Sequence, residues 1–201
     1  MKLYFSPGVC SLAPHITLRE AGLPFELEKV DFQTKKTQNG GELGKVNPKG
    51  MVPALVLDNG EVLTEGPVIM QYLADRKPEA KLVPPAGTLE RYRVQEWLNF
   101  ITSELHKGFG PLFRPTTPPE YKTIAQNILE ERISYVEGKM DGKQYLMGDQ
   151  FTVADAYLFT VLGWTKFVGM KLDKWPKLQA YVGRVAGRPA VQEALKAEGL
   201  A

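Results

Sequence analysis

Every convincing strand signal in this chain of 201 residues falls before residue 65, and from residue 88 onward only helical spacing is found. That split predicts a small α/β domain followed by an all-helical one. Leu3-Tyr4-Phe5 reads as a short apolar strand stopped by Pro7-Gly8. From Ser11, the spacing of Leu12, Ile16 and Leu18 predicts a helix closed by Gly22. Phe25, Leu27, Val30 and Phe32 predict a second strand, with one break in the alternation. A strand-helix-strand unit of about 30 residues predicts two parallel strands. Residues 33 to 47, with Gly40, Gly41 and Gly44, read as loop with at most a short irregular helix. Val52 to Leu57 and Glu61 to Leu63 flank Asp58-Asn59-Gly60, the signature of a hairpin. Thr64-Glu65-Gly66-Pro67 then opens a helix to Arg76, with proline at its first position.

Breakers crowd residues 77–87, from Lys77-Pro78 to Pro84-Pro85-Ala86-Gly87, and this stretch reads as a linker between domains at 1–80 and 88–201. Leu89, Tyr92, Trp97, Phe100, Ile101 and Leu105 predict a helix reaching Gly108, interrupted by Gly110-Pro111 and by Pro115 to Pro119. A second long helix is predicted from Glu120 to Lys139, and others from Thr152, Trp175-Pro176 and Pro189. Thr152-Val153-Ala154-Asp155 has the form of a capping box before an almost wholly apolar run.

A formal charge of +2 with no basic stripe argues against a nucleic-acid partner. Cys10 is the only cysteine, which excludes an internal disulfide and a cysteine metal cluster. His15 and His106 lack metal-site spacing, so no metal is expected. No segment approaches the roughly 18 unbroken apolar residues of a membrane span. The opening residues reach Ser6-Pro7-Gly8 before a signal peptide could form, so the expected compartment is the cytoplasm.

Four places can carry chemistry. Cys10 falls where the first strand gives way to the first helix, where helical N–H groups can face its sulfur and favour thiolate; a small buried apolar role is the alternative. Residue 13 is alanine, so no dithiol pair exists. Glu65-Gly66 suits a free amino-acid end: the glutamate for an ammonium, the helix N-terminus for a carboxylate. Simple capping by Thr64 or Glu65 accounts for it equally well. A cis bond at Val52-Pro53 would turn the Val52 backbone toward a peptide-like ligand, whereas an edge-strand proline would not. His106 and Lys107 end a helix, where cations are favoured in any case, and His15 reads as structural.

Taken together, Ser6-Pro7-Gly8-x-Cys10-Ser11, Asn47-Pro48-x-Gly50-x-Val52-Pro53-Ala54-Leu55, Leu63-Thr64-Glu65-Gly66, Glu104-Leu105-His106-Lys107 and Phe151-Thr152-x-Ala154-Asp155 resemble the bacterial beta class of cytosolic glutathione transferases. The resemblance spans essentially the whole chain. It implies a thioredoxin-like N-terminal domain, an all-α helical-bundle C-terminal domain and a homodimer with a site near each cleft. By the family pattern, Glu65 and Gly66 clamp the γ-glutamyl end of glutathione, Val52 pairs with its cysteinyl backbone and Lys35 meets its glycyl carboxylate. Cys10, Asn99 and His106 surround the thiol, while Ser103 and Glu104 reach the partner's site. Many relatives carry serine where Gly66 stands, so one hydroxyl donor is missing. Many classes hold the thiolate with a tyrosine or serine near the end of the first strand; here Tyr4 reads as part of the strand itself.

The resemblance implies a detoxifying enzyme that adds glutathione, its co-substrate, to electrophilic, mostly apolar molecules, with Cys10 and His106 as catalytic residues. Phe109, Phe113, Tyr157 and Trp164 are the expected apolar walls of a substrate pocket between the domains. Two rivals keep the fold. In one, Cys10 forms a mixed disulfide with glutathione, giving a thiol transferase or peroxidase. In the other, the chain is a non-catalytic binding or regulatory protein.

Overall fold

The computed structural model describes residues 1–201, which divide into two compact units. The first contains Met1–Val83 together with Gly187–Ala201, and the second is Pro84–Ala186. In the first unit, β1 (Lys2–Phe5), α1 (Leu12–Glu20) and β2 (Glu26–Lys29) make the expected strand-helix-strand, followed by α2 (Leu43–Val46), β3 (Ala54–Val56), β4 (Val62–Thr64) and α3 (Gly66–Asp75). The sheet runs β2-β1-β3-β4. β1 and β2 are parallel, with Leu3 opposite Leu27, while β3 is antiparallel to both β1 and β4.

Alternation along β1 decides what each face of the sheet carries. Leu3 and Phe5 point into a core with Leu18 of α1, Leu55, and Ile69 and Leu73 of α3. Tyr4 points the other way, against Val30, Leu43 and Val52. The second strand is shorter than expected: it stops at Lys29, at the break in the alternation, and Phe32 is exposed. The Asn59-Gly60 hairpin forms, with Gly60 at φ +86° and Leu57 N–H bonded to Glu61 O at 2.8 Å.

The second unit contains α4 (Leu89–Phe100), a π-helical stretch (Ile101–His106), α5 (Lys107–Phe113), α6 (Pro119–Lys139), α7 (Val153–Leu162) and α8 (Pro176–Ala186). All ten residues of α7 are buried, so it forms the unit's central rod. Gly110-Pro111 does not end the preceding helix, because Pro111 lies inside α5. Pro111 sits two residues from the end of α5, so the proline removes a hydrogen bond with little helix left to break. No helix is long and apolar enough to cross a membrane.

The C-terminal segment departs from the expected 88–201 domain. The last helix, α9 (Pro189–Glu198), belongs with the first unit, where it packs on α1. Val191 and Ala194 are buried, and the Arg188 guanidinium grips Glu20 at 2.6 and 2.8 Å.

Candidate functional site

The turn before α1 is held from three sides. The Ser6 hydroxyl donates to Val30 O at 2.7 Å, and the Ser11 hydroxyl exchanges 3.1 Å bonds with the Ser6 backbone. Gly8, at φ +72°, donates its N–H to a Glu198 carboxylate oxygen of α9 at 2.9 Å. Ser6 is therefore spent on structure. Cys10 is half-buried, and its thiol donates to Val52 O at 3.3 Å. That bond belongs to the thiol and not to the thiolate. Of the N–H groups that open α1, that of Leu12 bonds Val9 O and that of Ala13 bonds Cys10 O.

The Val52-Pro53 bond is cis, and Val52 lies just ahead of β3. Glu65 stands at the start of α3 with φ +69°, unusual for a residue with a Cβ. Its side chain does not cap the helix. The carboxylate projects into solvent and accepts from Lys49 Nζ at 2.6 Å. The capping account of Glu65 is thus replaced by a carboxylate that already holds an ammonium. At Gly66 an added Cβ would meet Pro53 at 3.8 Å, an ordinary contact, so the chain itself has room for a side chain there. Lys35, also at positive φ, lays its ammonium 4.3 Å from the Phe32 ring centre.

The other expected residues lie on the second unit, in two separate places. Asn99, Ser103 and Glu104 line a hollow of about 530 Å³ with Arg132 and Tyr135. Arg132 binds Glu104 at 2.9 Å, and Ser103 donates to Asn99 O. His106 does not line this hollow. Its Nδ1 lies 2.6 Å from the Tyr157 hydroxyl, and its ring packs edge-on against Trp164 at 4.8 Å. Phe109 and Phe113 also stack beside Trp164, so the four expected wall residues collect around His106 within this unit. Burial, helped by the neighbouring Lys107 charge, lowers the His106 imidazole to about 4. It is neutral at pH 7 and can offer an N–H, but no charge.

Lys49, Arg132, Glu198 and the hydroxyl of Tyr157 escaped the sequence reading. Tyr157 was visible only as an apolar wall. Lys49 stood in the Asn47-Pro48-Lys49-Gly50 turn with nothing to mark its reach. No three His, Cys, Asp or Glu side chains come together in a metal-binding group.

Comparison with known proteins shows which family the fold belongs to. The family model "Glutathione S-transferase, N-terminal domain" matches residues 8–76, and "Glutathione S-transferase, C-terminal domain" matches residues 100–189. The chain is 52% identical to glutathione S-transferase GstA of Escherichia coli O157:H7, over all of both chains. A sphingomonad glutathione S-transferase solved in complex with glutathione is 49% identical, with a TM-score of 0.96 over all of both chains. The bacterial beta class glutathione S-transferase of Sphingomonas chungbukensis is 50% identical, again with a TM-score of 0.96 over both full chains.

Proposed function

Because this chain belongs to the glutathione S-transferase family, in its bacterial beta class, we propose that it joins the glutathione thiol to electrophilic, mostly apolar small molecules. The observation that carries the binding assignment is Glu65, a carboxylate held off capping duty at the N-terminus of α3. The γ-glutamyl ammonium pairs with Glu65, and the adjoining carboxylate takes the N–H groups at Gly66 and the helix start. Val52 pairs with the cysteinyl backbone, and Lys35 takes the glycyl carboxylate. Glu65→Ala should weaken glutathione binding by about tenfold or more, since a charge-assisted bond is lost. Calorimetry finding unchanged affinity would remove the clamp.

The chemical step needs a thiolate, so the enzyme must favour that form over the thiol. His106 does this with a hydrogen bond. When the Tyr157 hydroxyl donates to Nδ1, the ring hydrogen stands on Nε2 and donates a hydrogen bond to the sulfur, whose own proton leaves to solvent. The thiolate then attacks the electrophilic carbon, a C–S bond forms, and the leaving group departs with its electron pair. Cys10, whose thiol is engaged with Val52, acts as a neutral neighbour and not as the nucleophile.

Since His106 titrates near 4, the rate between pH 5.5 and 8 should rise along one limb as the glutathione thiol ionises, with no imidazole inflection. His106→Ala should lower kcat by about tenfold to a hundredfold, His106→Gln should restore part of it, and Cys10→Ala should keep most of the rate. An inflection near 6.5 that His106→Ala abolishes would mean a charged imidazole and overturn this role.

The assembly we infer is a homodimer working in the cytoplasm. Leu89 and Tyr92 on α4, and Tyr121, Ile124, Ile128 and Tyr135 on α6, are all exposed, an apolar surface that a second copy would cover. If Ser103 and Glu104 serve the partner's glutathione, ligand must tighten the dimer. Sedimentation should show a dimer strengthened by glutathione. A monomer that binds glutathione with full affinity would refute it.

A further inference from the structure

The turn carrying Lys49 is rigid. Buried Asn47 donates from its amide to Met51 O at 2.7 Å and accepts the Lys49 N–H at 3.1 Å, while Gly50 takes φ +65°. From that fixed base, Lys49 Nζ reaches two oxygens at the end of β4, Thr64 Oγ1 at 3.0 Å and Glu65 Oε1 at 2.6 Å. Glu65, at φ +69°, makes no side-chain cap to its own helix. An ammonium thus already sits on the carboxylate that the incoming ligand's ammonium must use.

We propose that Lys49 is a resident counter-ion of the γ-glutamyl subsite, so that glutathione binds by exchanging its own ammonium for that of Lys49. The proposal rests on the glutathione reading above. Exchange keeps Glu65 paired before and after binding, so the site never presents a bare carboxylate to the wrong cation. It also makes Lys49 a specificity-determining residue. A peptide without a free amino group cannot displace Lys49, whereas one with the group must compete with it. Both partners are more than half exposed, so the competition is modest, roughly twofold to fivefold in affinity.

The test compares two ligands by calorimetry: glutathione and its deaminated analogue, glutaryl-cysteinyl-glycine, which keeps both carboxylates and lacks the ammonium. Lys49→Met should raise the preference for glutathione over the analogue by roughly twofold to fivefold, because only glutathione had to evict the lysine. Lys49→Arg should keep the wild-type preference. A preference that stays the same or falls in Lys49→Met would overturn the exchange while leaving the glutathione reading intact. Failure of the wild type to bind glutathione at all would instead overturn that reading, and the exchange with it.

Discussion

Glu198→Ala is expected to cost the fold about 3 kcal/mol and to loosen the turn that carries Cys10. Both carboxylate oxygens of Glu198 are engaged: Oε1 lies 2.8 Å from His15 Nδ1, and Oε2 accepts the Gly8 N–H at 2.9 Å. Both side chains of the His15–Glu198 pair are fully buried. Arg19 Nε donates to His15 Nε2 at 2.9 Å, which places the ring hydrogen on Nδ1 and makes histidine the donor to Glu198. Alanine would take the acceptor from the buried His15 Nδ1–H and the carboxylate bond from the half-buried Gly8 N–H, and a buried donor left without its acceptor costs about 1–3 kcal/mol. Glu198→Gln should lose about half as much, since its amide oxygen can still accept one of the two bonds. Denaturant unfolding measures the loss, and glutathione calorimetry measures the turn, because Gly8 is two residues from Cys10. A loss below about 0.5 kcal/mol would show that the pair carries no weight.

Glu198 also shows where reading the sequence stops. Pro189, Val191 and Ala194 announce a terminal helix with an apolar face, but helical spacing says nothing about which domain receives that face. Placing α9 on α1 depends on contacts nearly two hundred residues apart, such as Gly8 to Glu198. Local signals fared well wherever the physics was local. Asn59-Gly60 marked its hairpin because few residues but glycine adopt the positive φ of Gly60, and Pro67 marked a helix start because its missing N–H costs nothing at that position. Pro111 misled for the same reason turned round: a proline normally breaks a helix, but here it stands in the last turn of α5, where little helix is left to break.

The candidate site divides along the same line. Glu65, Gly66, Val52 and Cys10 lie in short segments whose residue types already suggest a peptide end and a thiol. What the sequence could not say was how each is used. The ammonium on Glu65 and the acceptor for the Cys10 thiol come from neighbours 16 and 42 residues away, and the isomer at Val52-Pro53 is not written in those two residues. His106 is the sharpest case. A histidine closing a helix suggests a cation, yet burial among Tyr157, Trp164 and their neighbours keeps it neutral.

The second large effect is expected at Asp155→Ala. As half of a capping box alone, Asp155 would be worth about 1 kcal/mol. Its carboxylate does more than cap. It accepts the Thr152 N–H at 2.8 Å and the Thr152 hydroxyl at 3.1 Å on one oxygen, and the Leu146 N–H at 2.9 Å and the Tyr181 hydroxyl at 3.1 Å on the other. It thereby ties the loop before α7, the first turn of α7 and the middle of α8 to one fully buried group. Burial raises the carboxyl to about 6, opposed by those four bonds, so it remains ionised at pH 7. Alanine removes the acceptor and leaves the Leu146 and Thr152 N–H groups buried without it, while the Tyr181 hydroxyl keeps the Asp155 backbone oxygen at 3.1 Å. The expected loss is about 3–5 kcal/mol, or a fall of roughly 10 °C in Tm for a chain of this size. Tyr181→Phe takes away a donor along with its bond and should cost only about 1 kcal/mol. In the double variant, Tyr181→Phe should add less than its own single cost, because the acceptor it served is already gone. Strict additivity of the two losses would mean that Asp155 stabilises α7 as an ordinary cap and that the link to α8 contributes nothing.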